Sequence, residues 1–119
     1  MHELDELLAY LVDNVDGALA AVVGDIDGLL IEQYPKQGRD LTAVTAQWTN
    51  VQNALDVVVT SLEGGSVKEI MVTADNLIGY ARLLSDGLFS FIIMNPSGNI
   101  GKARLYSEQM ARRVSEVFA

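Results

Sequence analysis

From Asp40 to Leu62 the chain runs 23 residues without a proline or a glycine, and apolar side chains fall at Leu41, Val44, Trp48, Val51, Leu55, Val58 and Leu62. The intervals alternate 3, 4, 3, 4, 3, 4, the spacing of a three-heptad helical seam. Asp40 is the expected N-cap, and Gly64-Gly65 ends the helix. Whatever this chain folds into must accommodate one long helix in its middle.

The flanking segments are strands. Ala18 to Val23 is wholly apolar, Gly24 to Gly28 is rich in turn residues, and Leu29 to Tyr34 stops at Pro35, which predicts a hairpin. After the long helix, Val67–Thr73, Leu77–Leu84 and Leu88–Met94 are separated by Asp75-Asn76 and Asp86-Gly87, the spacing of an antiparallel meander. Helices close both ends. Leu4, Leu7, Leu8, Leu11, Val12 and Val15 draw one apolar stripe over residues 3–15, and Asn99 or Ser97 caps a last helix over residues 100–118. The predicted fold is α+β, a three-layer sandwich with a five-stranded, mostly antiparallel sheet. The long helix is its crossover and covers one face, and the two terminal helices cover the other. The first helix is acidic and the last is net basic, so their charges favour that pairing.

Half of the 119 residues are apolar and a fifth are charged, which suits a single domain over residues 1–119. Sixteen acids against eight bases give a net charge of −8, a field that repels nucleic acid and anionic membranes. There is no cysteine, and the one histidine is His2. Thiolate nucleophiles, disulfides, cysteine zinc sites and histidine-based triads are thereby excluded, so no catalytic residues, no metal and no cofactors are expected. The acidic start (Glu3, Asp5, Glu6) and the lack of an apolar run near 18 residues predict a cytoplasmic protein without membrane insertion.

Between Leu41 and Leu62 the only charged residue is Asp56. A helix wetted on one side usually carries Glu, Lys and Arg there. Protein interfaces instead deplete charge at their cores, because desolvating an ion costs several kcal/mol. The long helix is therefore expected to meet a second protein surface, most economically its own mate in a homodimer, with the seam from Leu41 to Leu62 as the dimer interface. Trp48 is expected to be a large contributor to that contact. The strand beginning at Val67 either guards its edge with Lys68 and Glu69 or pairs across the dimer axis.

The order helix, hairpin, helix, meander, helix resembles the roadblock/dynein light chain family over essentially the whole chain. So do the Asp27-Gly28-Leu29 turn, the uncharged middle helix, the Asp86-Gly87 turn and the entry Ile100-Gly101-Lys102-Ala103-Arg104. The resemblance implies dimers built through the middle helix and the strand after it, giving a ten-stranded sheet. Among single-domain prokaryotic members of the MglB-like kind it implies a Ras-like small GTPase as partner, whose hydrolysis is stimulated. The residues this would place at the GTPase are Thr45, Thr49, Gln52, Asn53 and Asp56. A structural adaptor without effect on hydrolysis and a small-molecule sensor are the alternative readings.

Other candidates are weaker. No Gly-x-x-x-x-Gly-Lys-Ser/Thr pattern occurs, so the chain does not look like the GTPase itself. Gly98 to Lys102 is too short for a phosphate loop and reads as a helix entry. Arg39 and Arg112-Arg113 are conceivable arginine fingers but read first as solvated charges. Asp25 and Asp27 read as turn formers before they read as metal ligands, and Arg82 as a solvent-side residue or the partner of an acid.

Overall fold

The computed structural model describes residues 2–85 and 87–118, so Asp86 of the expected Asp86-Gly87 turn lies outside the described residues. The elements are α1 (His2–Asn14), β1 (Ala18–Asp25), β2 (Leu30–Tyr34), α2 (Thr42–Ser61), β3 (Glu69–Thr73), β4 (Ile78–Leu83), β5 (Leu88–Met94) and α3 (Ile100–Phe118). They form one five-stranded sheet in the order β2-β1-β5-β4-β3. Every neighbouring pair is antiparallel. The chain folds as the α+β sandwich its sequence predicts.

The topology explains the long helix. β2 and β3 are the two edges of the sheet, and α2 joins them. Crossing four inter-strand steps needs about 19 Å, and a 20-residue helix supplies about 30 Å. The hairpin before it is set by Asp25, whose Oδ1 accepts hydrogen bonds from the backbone N–H of Asp27 (2.9 Å) and Leu29 (3.0 Å). Gly28 completes that turn at φ +89°, where a Cβ would lie 3.2 Å from the Ala46 Cα of α2.

Both faces of the sheet are covered. On one, Leu4, Leu8, Leu11 and Val15 pack with Ala21, Val23, Tyr80, Ile92, Met94, Met110 and Val114. On the other, Val22, Ala81, Phe89 and Phe91 pack with Leu41 and Trp48. That double cover is why β1 is buried at four consecutive positions, Ala21 to Gly24.

Two local expectations are corrected. Helix α2 starts at Thr42 with Leu41 at its N-cap, and Asp40 acts one residue earlier, its Oδ1 accepting from the Thr42 N–H (3.0 Å) and hydroxyl (2.6 Å). The terminal helices meet through apolar and aromatic groups, including an edge-on Tyr10–Tyr106 contact at 5.7 Å. The basic residues of α3 turn elsewhere. Lys102 reaches Asp16 at 3.3 Å, beyond the end of α1, and Arg104 reaches Glu69 at 3.0 Å. Asn99 caps α3 as expected, accepting from the Lys102 N–H at 3.0 Å, whereas the Ser97 hydroxyl donates to Asn95.

Glu69 is the hub of a polar cluster beneath α3. Its carboxylate accepts from the Tyr80 hydroxyl and from Arg104 Nε, while Arg82 lies 3.5 Å from it and 3.9 Å from Glu108. The Tyr80 hydrogen bond, followed by Arg104 and Arg82, holds the Glu69 carboxyl below the ordinary glutamate range against the opposing effect of its partial burial. A depressed folded-state pKa contributes stability that is present above the unfolded value and lost as pH falls through the folded one. Chemical denaturation at neutral pH and between pH 5 and 3 should therefore show a Glu69→Gln chain that is less stable at neutrality but loses less stability on acidification than the parent.

Candidate protein interface

The sheet-facing stripe of α2 is Leu41, Thr45, Trp48 and Thr49, with Val44, Gln52 and Leu55 half-buried. The expected seam departs from it along the helix. Leu41 and Trp48 lie inside, and Val51, Val58 and Leu62 lie outside. The reason is geometric: at about 100° per residue Val51 already lies about 60° round the helix from Trp48, and a seam repeating every 3.5 residues drifts about 20° further per heptad. By its last turn the stripe has left the sheet, and Leu62 is 76% exposed.

Trp48 belongs to the chain's own core. Its ring stacks on Phe91 with centroids 4.6 Å apart and planes at 27°, and only 8% of the residue is accessible. The polar positions divide likewise. Thr45 and Thr49 lie under the helix, and their hydroxyls donate to Leu41 O (2.8 Å) and Thr45 O (3.2 Å). Both were expected to face a partner, and in this chain neither hydroxyl is free to do so. Gln52 is half-buried, whereas Asn53 and Asp56 are exposed and line a cleft of about 240 Å³ with Thr60, Ser66 and Leu83.

The outer side of α2 carries Val51, Val57, Val58 and Leu62 exposed, and Asp56 is still its only charge. Beyond the helix, the same face of the sheet continues through Ile93 and Ile70, both half-buried against the Trp48 cluster. Val72 shares that face, because it pairs with Gly79 two positions along the register from Ile70 and Ala81. Val72 and Met71 are exposed, and β3 pairs only with β4, so its other side is an open edge. The apolar face of α2, the uncovered sheet beside it and the open edge are contiguous. Sequence reasoning offered this strand as an edge that could pair across a dimer axis but named none of its apolar residues; their signal is the run Ile70-Met71-Val72, apolar at successive positions.

The chain is thus an antiparallel sheet sandwiched by helices, with one nearly uncharged helix beside an open strand. The chain belongs to the Roadblock/LC7 domain family, whose model matches residues 4–89. Comparison with curated proteins gives no match. Among solved structures it is similar to a Roadblock/LC7 domain from Streptomyces avermitilis, with 16% identity, TM-score 0.88 and 95% of each chain covered. It is similar to Myxococcus xanthus MglB, with 14% identity, TM-score 0.89, and 98% of this chain and 94% of that one covered. To MglC from the same organism the identity is 27%, with TM-score 0.65 and coverage of 93% and 95%. Roadblock/LC7 domains are in general regulator or adaptor modules without catalysis of their own. Among the described residues, no helix is long and apolar enough to cross a membrane.

Proposed function

We propose that this protein is a cytoplasmic, non-catalytic homodimer that binds a Ras-like small GTPase and stimulates its hydrolysis. The observation that carries the reading is the contiguous apolar surface of α2 and β3. Exposed apolar residues scattered singly need no explanation, but a joined patch rimmed by polar groups marks an association surface. In this reading Val51, Val58 and Leu62 meet their counterparts across the dimer axis, and the two β3 edges lie beside one another. Pairing two α2 helices leaves Asn53 and Asp56 facing outward, and these two, with Gln52 half-buried behind them, are the positions that contact the GTPase. The class of partner is the one that the resemblance to MglB-like family members implies.

The test is GTP turnover by a candidate Ras-like GTPase with and without this protein. Acceleration is expected, and Asp56→Arg should reduce it by about tenfold or more, as loss of a central interface contact does. Binding without acceleration would make the protein an adaptor. Absence of binding to any Ras-like GTPase would overturn the reading altogether.

A further inference from the structure

A second surface lies at the opposite end of α2 from Leu62. Where β1 begins, β5 ends and β4 is about to begin, Leu19, Ala20, Leu41, Leu77 and Ile93 floor a groove of about 500 Å³. Leu19 and Leu77 are exposed there. One wall is the loop after β2, and Arg39 is the only charged residue among the described ones that line the groove.

That wall is built. Gln33 Nε2 donates to Pro35 O (3.2 Å) and Arg39 O (2.7 Å), and its Oε1 accepts from the Leu41 N–H (3.2 Å). One amide thus clamps both ends of the loop and fixes the backbone of Arg39. The guanidinium itself is uncommitted. Lys36, Arg82, Lys102, Arg104 and Arg113 each lie within 4 Å of a carboxylate, and among the described residues Arg39, Lys68 and Arg112 do not; of these three, Arg39 is the one that lines this groove. Its neighbour Asp40 is turned away onto the first turn of α2. In a chain with twice as many acids as bases, an arginine that pairs with none of them beside an apolar groove offers an anion a favourable contact.

We infer that this groove binds an apolar peptide segment of a partner protein that bears a carboxylate, with Arg39 pairing the carboxylate and the floor taking the apolar side chains. The chemistry fits: guanidinium and carboxylate form a two-pronged, charge-assisted contact. The carboxylate can be a chain terminus or an Asp or Glu side chain. The inference does not depend on the GTPase reading, because it concerns the other end of α2 and a different probe, and Ile93 is where this groove borders the apolar face described above.

The experiment is fluorescence anisotropy of the full chain with three labelled peptides of the same Ala-Leu-Phe-Leu core. One ends in a free carboxylate, one in an amide, and one in Asp-amide. Saturable binding is expected for a carboxylate-bearing peptide, about tenfold tighter than for the plain amide. A preference for the free terminus identifies a chain end, and a preference for Asp-amide identifies an acidic side chain; either supports the inference. Arg39→Gln, at an exposed loop position, should abolish the tenfold preference without altering the circular dichroism spectrum. Leu77→Glu should weaken all three peptides. Equal binding of charged and amide peptides, no binding, or a preference that survives Arg39→Gln would overturn the inference. A fall in assembly mass on adding peptide would show that the peptide displaces a second copy from the groove, and would also overturn it.

Discussion

A Val58→Asp chain should run as a folded monomer where the parent runs as a dimer. Val58 is 53% exposed in the single chain, so a carboxylate there is hydrated in the monomer and costs the fold little. Across a two-fold axis the substitution acts twice. Each carboxylate would be placed among Val51, Leu62 and the mate's copy of the same seam, with no base on either helix to pair it. Burying an unpaired charge costs several kcal/mol, and each 1.4 kcal/mol is about tenfold in affinity, so dimer dissociation should strengthen by at least about a hundredfold. Light scattering at micromolar concentration reads the mass, and circular dichroism reads the fold. A dimer that tolerates the change would place the interface elsewhere.

Trp48→Ala should do the reverse, damaging the chain before it affects any association. The indole stacks on Phe91 and closes the core beneath α2, whose other buried residues are two threonines. Removing a buried Trp typically costs about 3–5 kcal/mol through lost transfer energy and the cavity left behind. For a domain of this size that corresponds to a fall in Tm of about 10–20 °C. Trp48→Phe should recover much of the loss, since the ring contact persists and the indole Nε1 has no hydrogen-bond partner to lose. Thermal melts of the two variants measure this directly. A Trp48→Ala chain with parental Tm would mean that α2 is held by contacts other than this one.

The contrast between Val58 and Trp48 shows where sequence reading works and where it stops. Period and punctuation are local properties, so the strands at Ala18, Ile78 and Leu88 and the helix from Ile100 are legible from alternation, turn residues and the Asn99 cap. Which face of α2 meets what is not local. Leu41 and Val58 have the same chemistry and lie on the same seam, yet their offset within the heptad and helical drift together put one against Phe89 and Phe91 and the other in solvent. Thr45 and Thr49 look like surface residues by type, but a threonine in a helix can return its hydroxyl to the preceding turn and be buried without loss. The missing charge on α2 was legible because it is a property of the whole helix and not of one side. Arg39 was legible as a loop cation and not as an uncommitted one, since that depends on where Asp40 and Gln33 turn.

The strand order has a further consequence for how the molecule comes into being. The sheet's central seam joins β1 to β5, so residues 18–25 must wait for residues 88–94 before the middle of the sheet exists. Local pieces, the first hairpin and the later meander, can form as soon as they are made, but they stay two separate ribbons with apolar faces until Met94 has been synthesised. Such long-range closure is slow compared with local contact formation. During synthesis the nascent chain therefore shows its stickiest surfaces longest, and the acidic residues of its first helix give it electrostatic repulsion during that interval.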